Sequence, residues 1–254
     1  MGASCSTLSQ QRGEQNGCSS HLMHSFATFR HSATRVLTAW VRFMKTTRKL
    51  ILLMWILLGF PALSLAASDF KEGTDYRVLA SPVPTSTDDK VEVVEAFWYG
   101  CGHCFELEPS LEEWLKNKPA NAALVRIPAV LGQVWEPLAR AYYAAEELGV
   151  VDKIHKPLFD AIHVEHRQLA TPEQLADFFA TQGVDKEVFL KTYHSFAVET
   201  HVQRAKQLMR RYEVHGVPAF IVNGKYFADI STAGSTPRLF EVINYLITKD
   251  SSKG

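Results

Sequence analysis

Past residue 66 the 254-residue sequence holds only two cysteines, Cys101 and Cys104, which form a single C-x-x-C. No third cysteine in that stretch can make a structural disulfide with them, and there is no second C-x-x-C. No H-x-x-x-H pair completes a four-ligand zinc site either, although His155, His163 and His166 are close in sequence. Haem attachment through C-x-x-C-H is excluded because Phe105 follows Cys104. An inert disulfide across so short a loop would constrain the unfolded chain little. Internal repeats are absent, and so is any basic excess beyond the leader. Residues 1–66 carry seven Lys or Arg against the single acid Glu14, which leaves 20 basic and 26 acidic residues after Ala66. Nucleic acid has no electrostatic reason to bind such a body. With 46% hydrophobic and 21% charged residues, disorder is not the default either.

What is present begins with a leader. From Met44 the chain reads MKTTRKLILLMWILLGFPALSLAASDF, with Lys45, Arg48 and Lys49 ahead of an apolar run over residues 50–63. Pro61 breaks that run, and Ser64-Leu65-Ala66 supplies small residues where a signal peptidase reads. The pattern predicts export to the periplasm, with cleavage before Ala67. The alternative is an uncleaved anchor, because residues 50–68 are uncharged for long enough to span a bilayer. Residues 1–43 show no clear periodicity, so Met44 is the expected start. Met1-Gly2-Ala3-Ser4-Cys5-Ser6 fits an N-myristoylation pattern, against which the downstream export signal argues. Cys5 and Cys18 both fall in the leader, so in an oxidising compartment Cys101 and Cys104 carry the whole redox chemistry.

In the mature chain, Val, Phe and Trp over residues 91–98 predict a strand that ends at Tyr99-Gly100. The C-x-x-C follows at once. Phe105, Leu107, Leu111, Trp114 and Leu115 then recur at helical spacing to about Asn117. A second strand is expected over 124–130. Helices follow at 137–149, 152–163, 171–183, 185–193 and 198–212, the third opened by the capping-box sequence Thr171-Pro172-Glu173-Gln174. Strand character returns over 219–222, Asn223-Gly224 predicts a hairpin into 225–227, and Ser235-Thr236-Pro237 opens a last helix to about Thr248. This order predicts an α/β fold interrupted by an all-helical insertion. The expected parts are residues 67–130 and 201–254 for the α/β domain and 131–200 for the insertion.

A C-x-x-C at a helix start places its first sulfur among unpaired backbone N–H groups at the positive end of the helix dipole. Cys101 is therefore the expected nucleophile and Cys104 the shielded partner that closes the disulfide. His103 lies between them, where it can donate to the Cys101 sulfur or sit beside it as a cation. No cofactor or metal is called for.

The segment Val94-Glu95-Ala96-Phe97-Trp98-Tyr99-Gly100-Cys101-Gly102-His103-Cys104 resembles the active-site strand and helix start of the DsbA thiol oxidases. The run from Gly216 through Val217, Pro218 and Ala219 to Asn223-Gly224-Lys225-Tyr226 is similar to that family's second signature. Leu148-Gly149-Val150 and Lys156-Pro157-Leu158-Phe159 fall where its helical insertion has comparable segments, and the likeness covers residues 67–249. It implies a thioredoxin fold with an inserted helical domain, and transfer of the Cys101–Cys104 disulfide to newly exported proteins with free thiols. A DsbB-like membrane quinone reductase would restore the disulfide, and the protein would act as a monomer. The likeness also makes Pro218 a cis-proline facing the disulfide and Val217 the backbone that pairs with a client strand. By itself, a Val-Pro ahead of a strand reads as an ordinary trans bond. Glu95 corresponds to the family's buried acid beneath the disulfide; otherwise it reads as a strand residue on a half-exposed face. One departure is Gly102-His103, where the best-known members have Pro-His and protein disulfide isomerase has Gly-His, so oxidising power is expected to be lower. A periplasmic isomerase or reductase is the alternative, and residues 67–90 are too few for its usual dimerisation domain. A non-catalytic peptide-binding holdase using Trp98, Tyr99 and Pro218 is the other.

Overall fold

The structure, a computed structural model, describes residues 70–251. The expected signal peptide, the start at Met44, Cys5 and Cys18 lie outside the described residues. Within them, the apolar run after Lys90 forms β2 (Val91–Phe97), which is buried along nearly its whole length. It is a central strand. Its neighbours are β3 (Ala122–Pro128) in parallel and β4 (Ala219–Val222) in antiparallel register. A strand covered on both faces reads as a continuous hydrophobic run rather than an alternation. The sheet continues through β5 (Tyr226–Asp229) to β1 (Arg77–Val78), giving the order β1-β5-β4-β2-β3.

Helix α1 (Gly102–Asn117) is the crossover between β2 and β3. After β3 comes a 3-10 turn (Gln133–Trp135) and then five helices: α2 (Glu136–Glu147), α3 (Val151–His163), α4 (Pro172–Thr181), α5 (Lys186–Tyr193) and α6 (Phe196–Arg211). The capping box of Thr171 and Gln174 forms as expected, and Asp185 and Ser195 cap the next two helices. The expected boundary between residues 200 and 201 falls inside α6. That helix is continuous, with Val198, Val202, Ala205 and Met209 buried along one stripe. Two C-terminal helices close the chain, α7 (Ile230–Ala233) and α8 (Thr236–Ser251).

At the β4–β5 turn, Asn223 (φ 49°) and Gly224 (φ 61°) both take the left-handed conformation, as a two-residue Asn-Gly hairpin requires. Gly224 is also sterically fixed, since a Cβ there would lie 1.9 Å from the Val83 carbonyl oxygen. The Val83 N–H donates to the Gly224 carbonyl at 2.8 Å, which ties the Pro-rich approach segment to the hairpin.

Successive side chains on a strand face opposite ways, so the sheet sorts its residues into two cores. Val93, Phe220 and Val222 pack with Leu111 of α1 and Leu239 and Ile243 of α8. Val94, Ala96 and Ile221 pack on the other side with Tyr142, Leu158, Phe159 and Met209 of the helical insertion, and Phe97, the last residue of the strand, joins that core out of alternation. Strand β2 therefore points its C-terminal end, and the C-x-x-C after it, along the line where the insertion meets the sheet.

Candidate active site

Three residues, Trp98, Tyr99 and Gly100, carry the chain from β2 into α1. Trp98 folds back over Gly100, where a Cβ would approach its ring to 2.5 Å, and stacks on Trp135 at 4.3 Å. Cys101 is then the N-cap of α1, with extended backbone (φ −93°, ψ 116°) and no capping bond from its side chain. The first N–H groups of the helix are left to face its sulfur. Cys101 is half-buried, and Cys104, one turn further in, is fully buried. Both are free thiols.

Their acidities diverge. The Cys101 thiol is lowered to about 6, first by the hydrogen bond it receives from the Cys104 thiol. The backbone N–H groups of Cys104 and His103 and the charge of His103 add to this, against the opposing effect of burial. Cys104 is pushed far above the usual thiol range because it donates that bond and is buried. At neutral pH the pair is one thiolate and one thiol.

The Cys101 thiol also reaches the Val217 carbonyl oxygen at 3.4 Å. The Val217–Pro218 peptide bond is cis, so the ordinary trans expectation does not hold here. A groove of about 340 Å³ beside His103 runs along Gly216, Val217, Pro218 and Ile230. His103 itself points outward, its Nδ1 lying 3.3 Å from Glu106 Oε2 with both side chains largely exposed. Its ring makes no hydrogen bond to the Cys101 sulfur; it acts through its N–H and its charge.

Glu95 lies fully buried on β2. The parallel register sets it beside Arg126 of β3, whose Nε donates to Glu95 Oε2 at 3.0 Å. Arg126 Nη2 is 3.3 Å from Glu108, Glu108 is 3.3 Å from His155 Nε2, and the Tyr99 hydroxyl meets His155 Nδ1 at 2.8 Å. With Nε2 facing a carboxylate, Nδ1 is the acceptor for the Tyr99 O–H. The second Glu95 oxygen has no hydrogen-bond partner among the described residues. Burial pushes the Glu95 carboxyl up to about 7, Arg126 opposes that rise, and the Glu108 charge adds to it.

The sequence does not reveal Glu108, Arg126, His155 or His163 as site residues. The signal that singles out Glu95, a charge inside an apolar strand, is equally present at Arg126. His163, the last residue of α3, donates from Nε2 to the Tyr99 carbonyl at 2.8 Å and stacks on Phe105 at 5.0 Å. It thus holds the chain on both sides of the C-x-x-C. His163→Ala, which removes the bond to the Tyr99 carbonyl, is expected to lower stability by about 1 kcal/mol, and His163→Gln, which keeps an N–H donor, should recover part of that loss; urea unfolding reads both.

Residues 128–239 match the family model of the DSBA-like thioredoxin domain. Over 184 residues the chain is 46% identical to the thiol:disulfide interchange protein DsbA of Pseudomonas aeruginosa, covering 72% of this chain and 87% of that protein. Against the protein of the same name from Azotobacter vinelandii it is 42% identical over 195 residues, 77% and 91% of the two chains. The crystal structure of P. aeruginosa DsbA superposes with a TM-score of 0.70 at 45% identity, covering 73% of this chain and 96% of that one. The oxidoreductase DsbA from Xylella fastidiosa superposes with 0.68 at 31% identity, over 72% and 98%. The fold is a thioredoxin fold carrying a helical insertion, as the sequence implied.

Proposed function

Because the chain belongs to the DsbA family of thiol:disulfide interchange proteins, and is accordingly a protein-disulfide oxidoreductase, we propose that Cys101 and Cys104 are its exchanging pair. The observation that carries this assignment is the opposite displacement of the two thiols, Cys101 down to about 6 and Cys104 far up. The client thiolate attacks the Cys101 sulfur of the oxidised pair, and the Cys101–Cys104 bond breaks with its electrons passing to Cys104. Cys104 takes up a proton and a Cys101–client disulfide remains. A second client thiolate then attacks the client sulfur and releases Cys101 as a thiolate, the better leaving group. The client loses two electrons and the protein gains them.

Glu95 is suited to supply and retrieve the Cys104 proton, since a carboxyl near 7 is both donor and acceptor at neutral pH. Val217 and Pro218 border the groove beside Cys101, where the Val217 backbone can pair with an extended client. His103 supports the thiolate from outside.

Clients are newly exported proteins with free thiols, a DsbB-like membrane quinone reductase restores the disulfide, and the protein works as a periplasmic monomer. The leader sequence supports the compartment. The test is stoichiometry: one equivalent of oxidised protein should oxidise one equivalent of a two-cysteine peptide, seen as a 2 Da loss by mass spectrometry. A holdase would bind the peptide without that loss, and equally well after both cysteines become serine.

A further inference from the structure

A second cleft lies on the other side of α1 from the Val217–Pro218 groove. Its volume is about 210 Å³, and Phe105, Pro109 and Phe159 supply its apolar walls. Its edge is acidic, with Glu106 and Glu112 from α1 and Asp160 from α3. Among the described residues the cleft has one cation, Lys156, and that ammonium is held by Asp160 at 2.5 Å. Glu108 at the cleft is turned to Arg126 and His155. Two carboxylates are left over. Among the described residues Glu112 has no ion-pair partner, and Glu106 has only the exposed His103 at 3.3 Å.

An apolar slot with unneutralised carboxylates at its mouth suits a side chain with an aliphatic stem and a cationic head. Phe105 and Phe159 offer the stem a wall. We propose that this cleft is a subsite for an arginine or lysine side chain of the client polypeptide. The proposal rests on the reading of Cys101 as the residue that holds the client.

Distance fixes where that side chain stands in the client. Phe105 is one helical turn in from Cys101, and at about 1.5 Å per residue the cleft extends from roughly 6 to 16 Å along α1. An extended client advances about 3.3 Å per residue, so the basic residue lies about two to five positions from the reacting cysteine. With Val217 and Pro218 on one flank and this cleft on the other, the client strand crosses the helix start and is read on both sides.

The experiment uses two-cysteine peptides of otherwise neutral sequence, in which one position, scanned across both sides of the first cysteine, is arginine or citrulline. Rate constants for oxidation by the oxidised protein give an arginine-to-citrulline ratio at each position. The expected ratio is about fivefold or more at a position about two to five residues from the cysteine at low salt, falling towards one in about 0.5 M NaCl. Glu112→Gln should reduce it and Glu112→Lys should abolish it, with Glu112 exposed and so free to change without loss of the fold. Ratios within twofold everywhere, or ratios indifferent to both salt and Glu112→Lys, overturn the proposal. Failure of the wild type to oxidise even the citrulline peptides would overturn the Cys101 reading beneath it.

Discussion

Cys104→Ala is expected to leave Cys101 locked to its client. Charged at Cys101 with glutathione, the variant passes that disulfide to a client carrying a single cysteine by exchange, and the Cys101–client bond then has neither Cys104 nor a second client thiol to break it. The buried Cys104 sits one turn from Cys101 and its attack is intramolecular. Removing an internal nucleophile of this kind should lengthen the lifetime of the adduct by at least about 10³-fold when no outside thiol is added. The same substitution has a second effect. The hydrogen bond from the Cys104 thiol is the largest cause lowering Cys101 to about 6. Without it the Cys101 titration should move up by about one unit or more, read from thiolate absorbance. An adduct as short-lived as the wild type's would contradict the roles assigned to the two sulfurs, and an unmoved titration would contradict the source of the low pKa.

Arg126→Ala should be the most destabilising change beneath the site, by about 3–5 kcal/mol at pH 8. It leaves the wholly buried Glu95 and the nearly buried Glu108 without their shared cation. The effect must depend on pH. In the folded protein Glu95 is raised from 4.5 to about 7, so the folded state holds a proton that the unfolded state has lost between those values. Stability linked to this group is fully present below about pH 4.5 and is lost as pH rises through about 7, an amount on the order of 3 kcal/mol. Removing Arg126 raises the Glu95 carboxyl further, so the penalty grows with pH and extends to higher pH. At pH 5, where Glu95 is protonated, the variant should lie closer to wild type in urea unfolding. Glu95→Gln in the same chain should recover much of the loss at pH 8. A penalty equal at pH 5 and 8 would sink the buried-charge account.

The features legible from sequence are those encoded within a few residues. The helix start at the C-x-x-C, the Thr171 capping box and the Asn223-Gly224 turn each depend on neighbours within one turn of chain. The web beneath the disulfide does not. Glu95 meets Arg126 across 31 residues, His155 meets Glu108 across 47, Tyr99 meets His155 across 56, and His163 meets the Tyr99 carbonyl across 64. Those pairs exist because a parallel register and the docking of α3 bring them together. Strand β1 is only two residues long and owes its existence to pairing with β5, where Arg77 lies 3.9 Å over the Phe227 ring. His103 was within reach of Cys101 by spacing alone, but on the helix its ring pairs with Glu106 three residues on.

Open space surrounds Gly102, where a Cβ would meet nothing within 4 Å, so packing does not dictate this departure from Pro-His. What the dipeptide costs in oxidising power is then a question for the redox couple itself. The most direct measurement is the reduction potential of the Cys101 and Cys104 pair, equilibrated against glutathione buffers at pH 7. A thiolate at about 6 is one unit below the thioredoxin value of about 7, and one unit is about 30 mV for a two-electron couple. Thioredoxin stands near about −270 mV, the isomerase near about −180 mV, and the type member of this chain's own family near about −120 mV. The account predicts a potential above about −240 mV, on the oxidising side of thioredoxin. A value at or below about −270 mV would show that the reduced pair is not stabilised and would contradict the assignment of this protein as a donor of disulfides.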